Sequence, residues 1–352
     1  MKERIGALRA RIAKEKLDGL LITDLNNIRY LVGFTGSNGM VLLTRNRCLF
    51  FSDFRYKEQS KHQVRNALAK IRDRDLLAVF PTEELKGIKR LGFEAENLSY
   101  RNFRRLKKQL KKVSLVPCNN WTIELRAVKD NAELKLIRKA VAITDSVFAK
   151  ILKLIKPGVR EKDLAMEMDY LMMQEGEVAF STIVASGRNG ALPHYQPGLK
   201  KLKKGEAVVF DFGAKFQGYC SDMTRTVFVG KADKKGKEIY AIVLGAQKKA
   251  LAAIKHGEKA ADIDGKARNH ITEKGYSKYF GHGLGHGVGL LVHENPALAK
   301  TSKAILENNN VVTVEPGIYL PDWGGIRIED LVRVTKKGCE ILTKSPKELI
   351  EL

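Results

Sequence analysis

The chain has 352 residues, 44% hydrophobic and 29% charged, with Lys and Arg exceeding Asp and Glu by 23. That length allows two ordinary domains, and the composition is that of a soluble globular protein rather than a disordered or fibrous one. No apolar run is long enough to cross a bilayer, the N-terminus lacks a signal-peptide pattern, and the four scattered cysteines form no CxxC pair, so a reducing, cytoplasmic setting is expected.

In chain order, an amphipathic helix runs into a strand at 20–23, and strands follow at 40–44 and 48–51 around the turn Arg45-Asn46-Arg47. Further strands are expected at 76–80, 90–93 and 114–116. This is an α/β layer without a glycine-rich phosphate loop. Residues 1–120 hold 26 Lys and Arg against 12 Asp and Glu, densest in RNFRRLKKQLKK at 101–112. Phe103, Leu106, Leu110 and Val113 fall at helical spacing there, so the cations form the solvent face of an amphipathic helix. No nucleic-acid-binding motif accompanies them, and no nucleic-acid partner is expected. The Pro117–Trp121 segment marks a boundary between domains 1–120 and 121–352. The second domain opens with helices at 131–155, ended by Pro157-Gly158, and at 161–174. Strands at 207–212, 225–229, 311–314 and 325–334, with helices at 237–254 and 261–274, make it α+β.

Five potential metal ligands lie in three segments of that domain. Asp211 and Asp222 flank FGAKFQGYCS, His286 sits in GHGLGHGVG, and Glu315 and Glu329 flank PGIYLPDWGGIRI. Each acidic pair reads as a β-hairpin. With Phe216-Gln217 as the turn, Asp211 and Asp222 face each other directly. Across the turn cluster Pro321–Gly325, the even separation of Glu315 and Glu329 lets both share a face. Four carboxylates and an imidazole converging in a folded domain repel strongly without cations, and two divalent ions balance them. Oxygen-rich ligation with one imidazole suits Mn²⁺ first, then Co²⁺, Zn²⁺ or Fe²⁺. Two such ions can bridge a hydroxide and make it nucleophilic near neutral pH. Cys220 shares a face with Asp222 but reads as a small packing residue.

FTGSNG (34–39), SDFRY (52–56), LRAVKDNAEL (125–134), ASGRNGALPHY (185–195), GHGLGHGVGLLVHENP (281–296) and VEPGIYLPDWGGIRIED (314–330) jointly resemble the aminopeptidase P and prolidase branch of the pita-bread-fold metallopeptidases, the Xaa-Pro peptidases. The resemblance covers nearly the whole chain. It implies an α/β creatinase-like N-terminal domain, an α+β pita-bread catalytic domain, proline-containing peptides as substrates and a homodimer, with no membrane attachment. It also implies that Asp211 chelates one metal, that Asp222 and Glu329 bridge both, and that His286 and Glu315 bind the second. Glu315 would shuttle a proton to or from the bridging water. His293 would stabilise the developing oxyanion, His282 and His194 would position substrate, and Arg327 would support the ligand network. Asp53 and Arg55 read as structural.

The sequence departs from the prolidase pattern at one point. Ala297 follows Pro296 where prolidases often carry an arginine suited to a dipeptide's free carboxylate. An aminopeptidase accepting longer Xaa-Pro peptides is therefore the leading reading, with a strict Xaa-Pro dipeptidase as the alternative. A non-catalytic pita-bread binding module is disfavoured because all five ligand positions are present.

Overall fold

The computed structural model describes residues 1–72, 75–78 and 80–352. The chain forms two compact units, Met1–Arg126 and Ala127–Leu352. Among the described residues no helix is long and apolar enough to cross a membrane.

The first unit runs α1 (Lys2–Lys14), β1 (Gly19–Ile22), α2 (Leu25–Val32), β2 (Met40–Thr44), β3 (Cys48–Asp53), α3 (Lys57–Gln63), β4 (Leu68–Arg72), β5 (Arg90–Glu94), α4 (Tyr100–Gln109), β6 (Ser114–Cys118) and α5 (Trp121–Ala127). Its six strands form one sheet in the order β4-β3-β2-β1-β5-β6. The three central strands β1, β2 and β3 are buried along their whole length, which is why they read as continuous apolar runs rather than alternating ones. Four of these elements, α2, α3, β4 and α5, were not read from the sequence. In α2 the helical start depends on the Asp24 side chain accepting from Asn27 N, and the stop on Gly33 at φ 83°. The edge strand β4, LAKIR, is largely exposed and has no apolar alternation. The strand expected at 76–80 is absent over 76–78, which form a turn; Val79 lies outside the described residues. The basic helix stops at Gln109, and Lys111 and Lys112 follow it.

Glu94 ends β5 in a buried position, accepting from Thr23 N at 2.7 Å, Asp24 N at 2.9 Å and Asn27 Nδ2 at 2.6 Å. Burial outweighs these three donors and pushes its carboxyl up to about 7. Below its ordinary value of 4.5 both folded and unfolded states hold the proton. Between that value and about 7, only the unfolded state ionises, so stability falls as pH rises and levels off above. The expected loss is roughly 3 kcal/mol at 1.36 kcal/mol per pH unit. Denaturant melts at several pH values on the wild type and Glu94→Gln measure it. The variant should flatten this part of the profile, and equal slopes in the two proteins would refute the assignment.

The second unit continues with α6 (Asn131–Ile151), α7 (Glu161–Met173), β7 (Glu177–Val178), β8 (Ile183–Ser186), β9 (Ala207–Phe212), β10 (Ala214–Phe216), β11 (Tyr219–Cys220), β12 (Met223–Phe228), α8 (Lys234–Ala253), α9 (Ala260–Glu273), β13 (Gly285–Gly287), β14 (Glu294–Leu298), β15 (Val311–Val314), β16 (Gly317–Leu320), β17 (Gly324–Arg327), β18 (Asp330–Val334), β19 (Cys339–Ile341) and β20 (Ile350–Glu351). The principal sheets are β20-β12-β9-β8 and β14-β13-β15-β18-β19, with smaller ones β11-β10-β7 and β16-β17. Helix α6 starts at a capping box in which Asp130 and Glu133 bond each other's backbone N–H. It ends at Ile151, four residues before the expected stop, and a 3-10 turn at Leu152–Leu154 follows.

Two apolar layers fix which way every strand faces. On one side, residues of α6 and α7 pack with Val208, Phe210, Phe212, Met223 and Val227. On the other, residues of α8 and α9 pack with Val312, Val314, Ile318, Ile326, Ile328 and Val332. Strand side chains alternate, so the intervening residues 211, 222 and 224, and 313, 315, 319, 327 and 329, must point away from the helices. The helix-facing apolar residues thus aim the acidic ones at one shared space.

Candidate metal centre

The first acidic hairpin turns one residue later than expected. Gln217 and Gly218 form the turn, both with positive φ (45° and 82°), as a two-residue type I′ hairpin requires. Lys215 then pairs with Cys220, and Asp211 with Thr224 rather than with Asp222. A shift by two residues preserves the face, so Asp222 remains on the same side as Asp211, diagonally placed. One oxygen each of Asp211, Asp222 and Glu329 lie within 4.8 Å of one another.

The second acidic hairpin keeps a single register through a break. Val314 pairs with Asp330 on one side and Gly317 with Arg327 on the other. Carried across the gap, that register sets Glu315 opposite Glu329, so the strand expected at 325–334 is two strands separated at 328–329. The break arises where both glutamates bond outside the hairpin. Pro316 has no N–H to donate, while Glu315 N leaves the ladder for Leu284 O at 2.8 Å and Glu329 N for Thr224 O at 3.1 Å. These bonds tie the two glutamates to the segments that carry His286 and Asp222.

His286 projects from β13 between glycines for a steric reason. A Cβ on Gly285 would lie 2.1 Å from Thr313 O, and one on Gly287 2.3 Å from Asn295 O. Its N–H donates to Thr313 Oγ1 at 3.0 Å, and that hydroxyl donates to Glu315 Oε1 at 3.1 Å. His286 Nδ1 lies 3.1 Å from Gly287 O, an oxygen that can only accept, so Nδ1 carries the hydrogen. That leaves Nε2 3.3 Å from Glu315 Oε1 and 3.7 Å from Asp222 Oδ2. A lone pair facing two carboxylates calls for a cation, either a proton or a metal ion.

Electrostatics point the same way. Burial, followed by neighbouring carboxylates, pushes Asp222 and Glu329 well above the usual carboxylate range. Burial raises Asp211 as well, against the opposing pull of Arg327. For Glu315 the His286 hydrogen bond and charge outweigh burial and hold it low, and His286 is raised in return despite its burial. Glu329 Oε2 accepts from Thr224 Oγ1 at 2.7 Å, but its Oε1 is buried with no hydrogen-bond partner. An orphaned carboxylate oxygen within a buried acidic cluster fits a bound cation. The donor set therefore suits divalent metal ions.

Arg327 lies buried beside the cluster. Its NH2 donates to Asp211 Oδ2 at 2.6 Å, its Nε to Thr224 Oγ1 at 3.0 Å and its NH1 to Tyr319 OH at 2.8 Å. Tyr319 OH in turn lies 2.9 Å from His282 Nε2, while His282 Nδ1 lies 2.7 Å from Gly283 O. The carbonyl fixes the hydrogen on Nδ1, so Tyr319 donates to Nε2. Both ring nitrogens of His282 are engaged, and its burial holds its pKa low. The backbone beneath it is tied to α9, with Arg268 donating to His282 O at 2.8 Å and to Phe280 O at 3.0 Å. The His293 ring lies 4.1 Å from that of His286, and burial, then the charge of His286, keeps it neutral toward lower pH.

All nine expected site residues line one cavity of about 740 Å³: His194, Asp211, Asp222, His282, His286, His293, Glu315, Arg327 and Glu329. Its walls include Phe180, Ile183, Tyr195 and Val292. Sequence reasoning missed Tyr319, Thr224 and Thr313. Alternation could have found them, since each lies two or four residues from Asp222 or Glu315. Cys220 is buried, its Sγ 3.9 Å from Leu290 O and outside the acidic cluster. Asp53 and Arg55 form a bidentate pair in the first unit at 2.8 and 2.9 Å.

The chain is similar to known proteins along its whole length. It is 42% identical to an uncharacterized peptidase of Bacillus subtilis over 352 residues, 99% of this chain and 100% of the relative. The solved Xaa-Pro dipeptidase from Bacillus anthracis matches with a TM-score of 0.96 at 42% identity, covering 100% of this chain and 99% of that one. The X-Pro aminopeptidase from Thermotoga maritima MSB8 matches with a TM-score of 0.90 at 37% identity, covering 97% and 100%. The Creatinase/Prolidase N-terminal domain family matches residues 4–128, and Metallopeptidase family M24 matches residues 135–336. With its creatinase/prolidase-type N-terminal region and its acidic centre on a pita-bread scaffold, the chain belongs to metallopeptidase family M24.

Proposed function

We propose that the protein is a dinuclear-metal Xaa-Pro aminopeptidase, cleaving the bond between an N-terminal residue and a following proline. The observation that carries this reading is the convergence of five ligand side chains in the 740 Å³ cavity, beside three further histidines. The names of the solved relatives support the Xaa-Pro class.

In this reading Asp211, Asp222, His286, Glu315 and Glu329 hold two divalent ions, Mn²⁺ first because four carboxylates and one imidazole form a hard donor set. When bound, the ions supply Lewis acidity and lower the pKa of water. The chain's own groups do the rest. Arg327 holds Asp211 in place and favours its ionised form against burial. Glu315, kept low by His286, takes the proton of the attacking water and passes it to the prolyl nitrogen as that amine leaves. His293, on the open side of His286, donates to the oxyanion forming at the scissile carbonyl. His282 acts through Tyr319 and its ring face, since both nitrogens are committed. A prolyl bond has no N–H, so no backbone acceptor is needed opposite it, and the apolar walls at Phe180, Ile183 and Val292 suit the pyrrolidine ring.

The absence of a cation at Ala297 supports action on peptides longer than two residues. A strict dipeptidase is the second reading, favoured by the dipeptidase name of the solved Bacillus anthracis relative. It requires a cation for the free prolyl carboxylate, and the exposed Lys278 on the cavity wall could provide one. Steady-state kinetics on Xaa-Pro and Xaa-Pro-Yaa peptides separate the two. We expect kcat/KM for the tripeptide to exceed that for the dipeptide by about tenfold or more. Turnover of the dipeptide alone would establish the second reading.

A further inference from the structure

We propose that Glu161, through Asn189 and Tyr195, is a positioning residue that presents His194 to the substrate. The inference rests on the reading of His194 as a substrate-side group.

Glu161 is the first residue of α7 and is wholly buried, 0% exposed. A carboxylate so placed needs several donors. It accepts from Ser186 N and Ser186 Oγ, both at 2.7 Å, and from Tyr195 OH at 2.9 Å. Asn189 Nδ2 donates to its two oxygens at 3.0 and 3.1 Å. The same Nδ2 donates to Tyr195 OH at 2.8 Å, and Lys200 Nζ donates to Ser186 Oγ at 2.6 Å. The α7 N-terminus adds its favourable dipole. The three residues that donate to Glu161, Ser186, Asn189 and Tyr195, lie in or directly beside the segment 187–194.

That segment is built like a short clamp. A 3-10 turn spans Gly187–Ala191, and a β-turn closes from Tyr195 N to Leu192 O at 3.1 Å, with Pro193 and His194 at its tip. Gly190 packs against the β16–β17 hairpin so closely that a Cβ on Gly325 would lie 2.0 Å from Gly190 O. Strand β17 carries Arg327. The His194 turn is thus gripped between Glu161 on one side and the strand of Arg327 on the other, and Tyr195 forms part of the cavity wall. His194 itself is exposed and lines the cavity. Its placement depends on its neighbours, and Glu161 is where their hydrogen bonds converge.

The test uses the full, metal-loaded chain and the variants Glu161→Gln, Tyr195→Phe, His194→Ala and the pairwise combinations with His194→Ala. Tyr195→Phe deletes one hydroxyl and keeps the ring, so it reports even if Glu161→Gln folds poorly. We expect each single substitution at Glu161 or Tyr195 to lower kcat/KM on an Xaa-Pro-Yaa peptide by about 10–100-fold. In the His194→Ala background the same changes should cost less than about threefold, because residues acting through one group are not additive. Hydrogen–deuterium exchange over 187–195 should quicken by about tenfold while 207–212 is unchanged. Additive losses, or unchanged exchange over 187–195 in both variants, would overturn the proposal. Failure of the peptidase reading shows separately, as a wild type inactive on prolyl peptides, and exchange then decides the role of Glu161.

Discussion

Asp222→Asn is expected to abolish peptidase activity while making the metal-free protein more stable. The two effects have one cause. In the metal-free chain, burial and the neighbouring carboxylates push Asp222 well above its ordinary range, so its ionised form works against the fold. A neutral amide of the same shape removes that repulsion. It also removes one of the carboxylates proposed to hold the ions. Losing several kcal/mol of charge stabilisation at the reacting centre corresponds to roughly a thousandfold or more in kcat. Thermal melts with and without Mn²⁺ give the stability half of the result. The wild type should gain about 2.7 kcal/mol when metal is present at a hundred times its dissociation constant, and the variant much less. A variant with wild-type activity and wild-type metal response would remove Asp222 from the centre.

The second large effect is expected at Arg225, behind the acidic cluster. Its side chain is 1% exposed and pairs with Asp330 Oδ1 at 2.8 Å. Its Nε donates to Pro346 O at 2.9 Å, its NH2 to Ser345 O at 2.8 Å, and its NH1 to Thr224 O at 3.0 Å and to Glu329 O. One guanidinium thus joins the backbone at 345–346 to that of Thr224 and Glu329, beside the acidic cluster. Arg225→Met leaves Asp330 buried with a lost partner and several carbonyls unpaired. Removal of one member of a buried ion pair costs about 3–5 kcal/mol. For a unit of this size that is a fall in Tm of roughly 10 °C. Lysine offers a point charge and no fork, so Arg225→Lys should recover only part of the loss. Unchanged melting in both variants would show that the chain end is held by other contacts.

How far the site was legible in the sequence depended on whether a residue's role lay in its own strand. Asp211, Asp222, Glu315 and Glu329 could be paired because strand alternation has period two and both hairpins are short. The turn at Gln217-Gly218 displaced the first register by two residues, which moved the direct partner of Asp211 to Thr224 but left the face unchanged. A displacement by one would have sent Asp222 into the α6–α7 layer. The ladder break at Glu315 and Glu329 was invisible because its cause, the bonds to Leu284 O and Thr224 O, comes from distant segments. Tyr319 was within reach of the alternation argument and was missed because GIY by itself reads as a strand end. Glu161 carried no local signal at all. In sequence it is an ordinary first-turn acid of a helix, and only the folded chain brings Ser186, Asn189 and Tyr195 to it. In the first unit α2 was missed because its eight residues are too short for periodicity to register against Asp24 and Gly33.

The most direct test of the account is peptidase activity measured against bound metal. The full chain is stripped with a strong chelator, its residual metal content determined, and Mn²⁺ returned in sub-stoichiometric steps while hydrolysis of an Xaa-Pro-Yaa peptide is followed. The account predicts no hydrolysis from the stripped chain and recovery that completes as two ions per chain are bound. Full hydrolysis by a chain shown to hold no metal would contradict it.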